Sequence, residues 1–455
     1  MKNLDVVILA AGKGQRMKSN LPKVLHRLAG ATLLDHVIKA AKSVNPATLI
    51  IVTGYAEEKV RATVQTDGLT FVHQSQQLGT GHAVQQALDQ LKSSKTVILL
   101  GDVPLISEVT LERIATQSAA ITLLTQTVSA PTGYGRIVRD EQEHITKIIE
   151  EKDASIEEKK IVEINTGIMC IDNEVLKNFL SQMENKNASA EFYLTDIVEF
   201  ANKNNLSVDA VNSEDDVECS GINSKSQLAD LERRLQRQKA QELMANGTSV
   251  LDPNRLDIRG NLTCGLDVVI DVGCIFEGDV QLEDNVTIEA YSVIKDSHVG
   301  EGTTIKTHSC VEGARIGKRN QIGPYARLRP GAKSSDNVRL GNFVEVKASE
   351  IGQGSKVNHL SYIGDAKIGT GVNVGAGTIT CNYDGANKHQ TVLENDVFIG
   401  SNTELVAPVT IGAGSTIAAG STVTKNVPPD NLALSRTKQT CISDWKRPGK
   451  IKSDK

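Results

Sequence analysis

From Ile270 onward an apolar residue recurs at about every sixth position, and no ordinary helix or strand explains that period. Ile270, Phe276, Leu282, Ile288 and Ile294 form the first run, followed by Val299, Ile305 and Val311, then Ile316, Ile322 and Leu328. After an interruption from Leu328 to Ile351 the beat resumes at Val357 and Ile363, then Ile368 and Val374. It closes with Ile399, Leu405, Ile411, Ile417 and Val423. A helix repeats every 3.6 residues and a strand every 2. A period of six suits a solenoid in which each hexad is one short flat strand and a turn, with the apolar side chain pointing inward. Glycine follows many beats, as at Gly300, Gly317, Gly352, Gly364, Gly369 and Gly412, and is expected to supply the positive φ of the turn.

The 455 residues exceed one ordinary core, so two domains are expected. Fifty basic residues against 55 acidic ones, net −5, leave no electrostatic footprint for nucleic acid or a membrane surface. Aromatics at 3% fit a solenoid filled by aliphatic side chains. Seven cysteines, an odd number without a C-x-x-C pair, argue against a disulfide framework or zinc site and for a reducing compartment. The apolar opening Val6 to Ala11 is too short for a signal peptide, and no stretch approaches the roughly 20 apolar residues of a membrane span. A soluble cytoplasmic protein is expected.

The first half alternates short apolar runs with helical patterns. Strands are expected at Asp5 to Ala10, Thr48 to Thr53 and Thr96 to Leu100, and helices at Leu33 to Lys42 and Gly81 to Leu91. That alternation implies an α/β domain on a Rossmann-like parallel sheet. The charged segment Ser224 to Asn246 carries Leu228, Leu231, Leu235 and Leu243 on one stripe, stops at Gly247, and opens with Ser224 and Gln227 as a capping box. The expected organisation is an α/β domain over 1–223, a linker with one long helix over 224–252, and an all-β solenoid with a C-terminal tail over 253–455.

Directly after the first strand comes the glycine-rich loop Leu9 to Met17 (LAAGKGQRM). Gly12 and Gly14 let backbone N–H groups approach a phosphate, and Lys13, Arg16 and Lys23 supply positive charge. A G-x-G alone is weak evidence, since a tight turn gives the same pattern. The third glycine of a dinucleotide site and the Gly-Lys-Ser/Thr of a Walker loop are both missing. Gly101-Asp102 follows the apolar run Val97 to Leu100. An aspartate at the mouth of a parallel sheet beside a phosphate loop is placed to hold Mg²⁺, the competing reading being a turn before Pro104.

Together with Leu21 to Val24 (LPKV), Gln74 to His82 (QSQQLGTGH), Gly133 to Gly135, Glu150 to Lys152 and Asn165 to Gly167, this half resembles the nucleoside-triphosphate sugar-1-phosphate nucleotidyltransferases. The resemblance implies a UTP and UDP-sugar site built from Leu9, Ala10, Ala11, Gly12, Arg16, Lys23, Gln74, Gly79, Thr80, Gly101, Asp102, Gly135, Glu150, Asn165 and Asn223. In it Gln74 and Gly79 read the uracil edge, while Gly135, Glu150 and Asn165 hold the sugar. Asp102 and Asn223 bind Mg²⁺. By position alone Asn223 reads as a cap for the helix that follows. Gln15, where threonine is frequent, and Leu100, where an aromatic is common, depart from the family wording.

The second constellation lies where the beat is disturbed. One interruption holds Arg329, Glu345 and Lys347; the other is the bulge Cys381 to Gln390 (CNYDGANKHQ), and insertions into repeat arrays commonly map to a binding face. Between them stands His359, followed by Tyr362. His73, His144, His298 and His308 lack such company and read as structural or surface residues. The half from about Gly260 to Arg436 resembles the left-handed parallel β-helix acyltransferases, the handedness coming from that family because ordinary crossovers are right-handed.

Both halves together resemble the bifunctional uridylyltransferase and acetyltransferase family that makes UDP-N-acetylglucosamine for peptidoglycan and lipopolysaccharide. The resemblance implies His359 as general base for acetyl transfer from acetyl-CoA to glucosamine-1-phosphate, an imidazole being able to take that proton near neutral pH. Arg329, Lys347, Tyr362 and Asn373 would bind the sugar phosphate, and Ala376, Asn382, Tyr383, Ser401, Ala419 and Arg436 would line the acetyl-CoA site. Ala376, Ser401 and Ala419 read equally as small residues at tight corners, and Arg436 as part of a solvated tail with Lys446, Arg447 and Lys450. Mg²⁺-dependent uridylylation of the N-acetylglucosamine-1-phosphate product and a homotrimer are implied as well. The rival readings are a nucleotidyltransferase whose β-helix serves only oligomerisation or regulation, and an assembly scaffold with a vestigial nucleotide loop.

Overall fold

The computed structural model describes residues 4–215 and 217–449, which leaves Lys450 outside the described residues. The chain divides into two compact units, Met1–Gln236 and Arg237–Lys455. The first is built on a sheet of strands β1 (Leu4–Leu9), β2 (Thr48–Thr53), β3 (Leu69–His73), β4 (Lys95–Leu100), β5 (Ile121–Thr127), β6 (Glu163–Asp172) and β7 (Val208–Ser213). They lie in the order β7-β5-β6-β4-β1-β2-β3. β1 is parallel to β2 and β4, β2 to β3, and β5 to β7. The expected parallel sheet is therefore present with one exception: β6 runs antiparallel to both of its neighbours. That reversal brings the amino end of β6, with Asn165, to the edge where β1 and β4 end. An antiparallel ribbon, Gly135–Arg139 with Ile145–Ile149, pairs onto the same end of β6.

The expected helix over Leu33 to Lys42 is α1 (Leu33–Ser43), capped by Thr32 and Asp35 in a reciprocal capping box. The one expected over Gly81 to Leu91 is shorter. It is α-helical over Thr80–Gln85, after which the Ala87 N–H bonds back to Val84 O at 2.9 Å and a 3₁₀ turn follows at Leu88–Gln90. The tighter winding seats Ala87 fully inside and turns Leu88 and Leu91 onto the apolar clusters against the sheet. Helix α2 spans Glu108–Ala115 and the long helix α3 spans Lys225–Ala245. Early in α3, Leu231 packs with Met17, Leu28, Leu33 and Ile222. Ala240, further along, belongs to the core of the second unit.

The second unit is a parallel β-helix. Successive coils pair in register at intervals of 17 or 18 residues, so that Phe276 lies on Ile294, Ile294 on Val311, and Val311 on Leu328. Every residue of the six-beat points inward, with exposures between 0 and 6%. Burying an aliphatic side chain of this size contributes roughly 1.5 to 3 kcal/mol, and one such contribution per strand is what holds the coil closed.

Two expectations change. The stretch from Leu328 to Ile351 is not an interruption, because Leu340 and Val346 are on the beat and 1% exposed. Only Ser334 departs from it, stacked between Ile316 and Ile351 and accepting from the Asn320 side chain at 2.8 Å. Asn320 is 1% exposed and fully engaged, also donating to Ser335 O and accepting from Val338 N–H, so a polar staple replaces one apolar beat. The glycines after the beats also have a different role. Gly300, Gly352 and Gly412 are not among the residues with positive φ. A Cβ on Gly352 would stand 2.4 Å from Gly369 O in the next coil, so these glycines permit close approach of backbones. The left-handed corners come two residues later, at Gly302, Gly354 and Gly414, and at non-glycine positions such as Arg319.

The bulge over Cys381 to Gln390 is a real insertion: Ala366 pairs with Thr391 and Ile368 with Leu393, so the ladder resumes beyond it. Leu340→Ala, within the segment that the apolar pattern omits, is expected to destabilise the second unit by about 3 kcal/mol. Ala386→Ser in the inserted loop is expected to change stability by less than about 0.5 kcal/mol. Denaturant titration of each variant checks the contrast.

Candidate active sites

In the first unit, the carboxyl ends of β1 and β4 open onto two adjoining clefts of about 350 and 230 Å³ that share Leu9, Thr80, Leu100 and Asp102. The larger is lined by Ala10, Ala11, Gly12, Lys23, Gln74 and Gly79, and the smaller by Gly135, Glu150, Asn165 and Asn223. Of the 15 residues that the resemblance implies for the nucleotide site, all but Arg16 and Gly101 line these two clefts. Arg16, exposed on the turn Gln15–Met17, is not a lining residue, and Gly101 lies behind the wall against Val24 and Leu9. Lys13 lies 5.3 Å from the centre of the Tyr55 ring. Leu100 fills the space above Gly167.

Lys23 forms an ion pair with Asp102 and donates to Asn223 Oδ1 at 3.0 Å. A carboxylate and a carboxamide oxygen therefore converge on one cationic centre, the hard-oxygen pairing that Mg²⁺ takes together with phosphate oxygens and water. Among the described residues no cluster of three or more His, Cys, Asp or Glu side chains is arranged as a metal cage. Asn223 does not cap α3. Ser224 does so, accepting from Gln227 N–H at 3.2 Å, while Gln227 Oε1 accepts from Asn223 N–H at 2.8 Å. The capping box is thus displaced by one residue on its return arm, and the Asn223 side chain is left to face Lys23.

Gln74 is 2% exposed and spends its Nε2 donors on Gly79 O at 3.2 Å and His82 Nδ1 at 3.0 Å, so its carbonyl oxygen is the group left for a ligand. Gly79 has φ 115°, and a Cβ there would stand 2.5 Å from Phe192 O. In the smaller cleft a Cβ on Gly135 would lie 3.5 Å from Glu150 Oε1 and 3.6 Å from Asn165 Cβ, so the three converge. Burial raises the Glu150 carboxyl above the usual range, opposed by a hydrogen bond from Thr195 Oγ1 at 3.3 Å and reinforced by Asp153, Asp196 and Glu191. Tyr134 and Thr195 also line this cleft without having been singled out from the sequence; Tyr134 sits inside the Gly133 to Gly135 motif that marked the place.

In the second unit the coil ladder puts His359, Ala376, Ser401 and Ala419 in one line at one corner. Gly377 N–H bonds to His359 O, Asn402 N–H to Ala376 O and Gly420 N–H to Ser401 O. Each precedes a left-handed corner residue, so the small residues are corner residues and share the histidine's column as well. Arg436 Nη1 donates to Ala419 O at 2.9 Å and closes that line. Lys446, Arg447 and Trp445 are exposed. His359 Nδ1 lies 3.0 Å from Asn342 Oδ1. A carboxamide oxygen can only accept, so Nδ1 carries the proton and Nε2 is the basic nitrogen.

Beside it Tyr362 stacks on Glu345, Arg329 pairs with Glu345 at 2.9 Å, and Lys347 Nζ is 3.6 Å from Asp365. Asn373, half-buried, lies on the coil after the one that carries His359. Asn382 is buried and donates to Asp365, and Tyr383 is exposed with its hydroxyl on Gly385 O at 2.6 Å. Lys388, which the sequence motifs do not single out, comes from the inserted loop to lie against Lys347. The contact with Lys388, and then the Asp365 carboxylate, raise Lys347, while the contact with Lys347 and its charge lower Lys388. Its signal was available as the one lysine of the bulge. The four histidines that read as structural or surface residues each have their own partners, and His308 lies in the corner column that runs on to Leu360. His73 pairs with Glu57, His144 with Asp140 at 3.4 Å and His298 with Glu283 at 3.1 Å, and His308 is stacked between Tyr291 and Tyr325.

A family model described as a MobA-like NTP transferase domain matches residues 6–156, and one described as bacterial transferase hexapeptide (six repeats) matches 390–425. The bifunctional protein GlmU of Burkholderia multivorans is 53% identical over 453 residues, covering 99% of this chain and 100% of the relative. That of Nitrosospira multiformis is 52% identical over 454 residues, with 99% of each covered.

The loop over Cys381 to Gln390 carries a pH prediction. Asp384 Oδ1 accepts from Ala386 N–H at 2.8 Å and Asn387 N–H at 2.7 Å, and its Oδ2 lies 2.6 Å from His389 Nε2. These hydrogen bonds, the Asn387 N–H first, hold the Asp384 carboxyl well below its usual value of 3.8. A depressed carboxylate stabilises the loop at pH values above that usual figure and loses the effect only as pH falls through the lower folded value. Amide exchange at Ala386 and Asn387 is therefore expected to stay protected at pH 4, and to speed up at least about tenfold at that pH in Asp384→Ala.

Proposed function

The chain belongs to the GlmU family of bifunctional proteins, and from that membership we propose that it makes UDP-N-acetylglucosamine in two steps on two separate sites. The β-helix transfers an acetyl group from acetyl-CoA to the amine of glucosamine-1-phosphate. The α/β unit then joins the product to UTP and releases pyrophosphate. The observation that carries the bifunctional reading is His359 with its Nδ1 bound to Asn342, which leaves Nε2 as the basic nitrogen three residues before Tyr362, itself stacked on the Glu345 that pairs with Arg329. A β-helix serving only assembly has no use for that arrangement.

In acetyl transfer, His359 Nε2 removes a proton from the ammonium or attacking amine of the sugar as nitrogen adds to the thioester carbonyl. The thiolate of coenzyme A leaves as the tetrahedral adduct collapses, and the proton held on the imidazole passes to it to release the free thiol. Arg329, Lys347 and Lys388 hold the sugar phosphate, and Tyr362 and Asn373 orient the ring. The column Ala376, Ser401 and Ala419, with Arg436, provides a ledge for acetyl-CoA next to Asn382 and Tyr383.

In uridylyl transfer, a phosphate oxygen of N-acetylglucosamine-1-phosphate attacks the α-phosphorus of UTP in line with the departing pyrophosphate. No covalent enzyme intermediate is needed. Mg²⁺, held by Asp102 and Asn223, supplies charge neutralisation on the phosphate oxygens when bound. The loop Leu9 to Gly12 offers backbone N–H groups to the triphosphate, and Lys23 contributes a mobile positive charge. Gln74 accepts from the N3–H of uracil through its remaining oxygen, and Gly135, Glu150 and Asn165 embrace the sugar.

A homotrimer is part of this proposal. What supports self-association is an exposed column in which Tyr291, His308, Tyr325 and Phe343 stack at 5.0 to 5.4 Å and Leu360 continues the line beside His359, an apolar ridge that a monomer leaves in water. The cytoplasm is proposed as its compartment, supported by seven cysteines that are all free thiols.

The test is separation of the two activities. His359→Ala is expected to lower phosphate-dependent thiol release from acetyl-CoA and glucosamine-1-phosphate at least about 100-fold while leaving uridylyl transfer within twofold. Asp102→Ala is expected to do the reverse. No thiol release from native protein that still forms pyrophosphate would reduce the β-helix to an assembly module.

A further inference from the structure

The two oxygens assigned to the divalent cation arrive on different stretches of chain. Asp102 stands at the end of β4 and is followed by the loop into α2; Asn223 ends the irregular segment that follows β7. A backbone hydrogen bond, Ile222 N–H to Asp102 O at 2.9 Å, joins the two near the site. A second junction lies behind it. Glu218 is 4% exposed, and its carboxylate has hydrogen-bond partners on both stretches. Oε1 accepts from Thr110 Oγ1 at 2.9 Å and from Ser213 Oγ at 2.5 Å, and Oε2 accepts from Ser107 N–H at 3.2 Å. Thr110 and Ser213 are themselves buried.

We infer that Glu218 is a positioning residue for metal binding: it clamps the segment that delivers Asn223 onto the segment that delivers Asp102. Three features support this. A carboxylate so deeply buried is costly unless every lone pair is used, and here each partner belongs to one of the two arms that must be aligned. Its negative charge sits at the start of α2, where Ser107 is the cap and the helix dipole favours an anion, so the clamp is anchored to a regular element rather than to another loop. The chain leaves Glu218 toward Asn223 through a turn closed by Ser220 N–H on Val217 O at 3.1 Å and then the Ile222 bond. Movement at Glu218 is thereby transmitted to the Asn223 carboxamide. Side chains that orient ligands in this way commonly alter metal affinity roughly 10- to 100-fold when changed.

The inference rests on Asp102 and Asn223 being the cation's protein ligands, and the experiment separates the two questions. Mn²⁺ binding to the full-length protein with UTP present would be measured directly by the electron paramagnetic resonance of free Mn²⁺, for native protein, Glu218→Gln and Asn223→Ala. Glu218→Gln keeps the shape and is expected to weaken Mn²⁺ binding about tenfold. The Mg²⁺ needed for half-maximal uridylyl transfer should rise in parallel, with kcat at saturating Mg²⁺ and the acetyltransferase rate within twofold of native. A Glu218→Gln variant that unfolds at lower temperature but binds Mn²⁺ as the native protein does would overturn the inference and leave the residue a structural one. Unchanged Mn²⁺ binding in Asn223→Ala would remove the ligand assignment itself, and the role of Glu218 with it.

Discussion

The constraint on which the second unit depends is the backbone ladder between coils. Each N–H on a flat strand bonds to a carbonyl one coil away, as Gly375 N–H does to Ile399 O at 2.8 Å and Gly400 N–H to Ile417 O at 2.8 Å. A ladder of that kind fixes equivalent residues of successive coils in columns. An inward column is then apolar except where a polar member finds its own partners, as Ser334 does through Asn320. An outward column at a corner becomes a line of functional groups at the coil spacing. The line from His359 to Ala419 is such a column, and its small residues hold the ledge open because neighbouring backbones approach within the reach of a Cβ, as at Gly400 against Ala419.

The first unit depends on a different rule, that the carboxyl ends of parallel strands share one edge and their loops meet there. β1 and β4 deliver the glycine loop and Asp102 to adjacent places because the strands are neighbours in the sheet. The reversed strand β6 adds Asn165 from its amino end, and the ribbon paired onto it brings Gly135. The site is therefore assembled from chain segments scattered over most of the unit. Connections outside the sheet, including Glu218 and the displaced box of Ser224 and Gln227, must set the last of them.

Patterns that repeat were legible in the sequence, and contacts made once were not. The six-beat located the coil, its inward residues and the inserted loop because each is a departure from or an instance of a period. The same pattern misses Leu340 and Val346, since a single serine at position 334 is enough to break the run while leaving the coil intact. It also suggests a positive φ for the glycines after the beats. Sequence spacing shows where a small residue recurs, and only the neighbouring coil shows that backbone proximity is what excludes a side chain. In the first unit, strand ends and motifs placed most of the cleft residues. Lys388, folded in from the loop, shows the limit: the direction a loop side chain takes is fixed by tertiary partners that no local spacing records.

The inserted loop explains how catalytic equipment can be added to such a coil without weakening it. Its ends lie on adjoining strands that resume pairing at Ala366 with Thr391, so no ladder bond beyond the bulge is lost. Its interior is braced by its own groups, chiefly the Asp384 carboxylate on two loop amides and His389 N–H on Asn382 O at 2.8 Å. A loop that supplies its own order adds little to the entropic cost of folding the coil, because loop closure grows only slowly with length. It is thereby free to carry Lys388 to Lys347 and Asn382 to Asp365. The stacked core supplies rigidity, and the bulge supplies the chemistry that a strictly periodic sequence cannot encode.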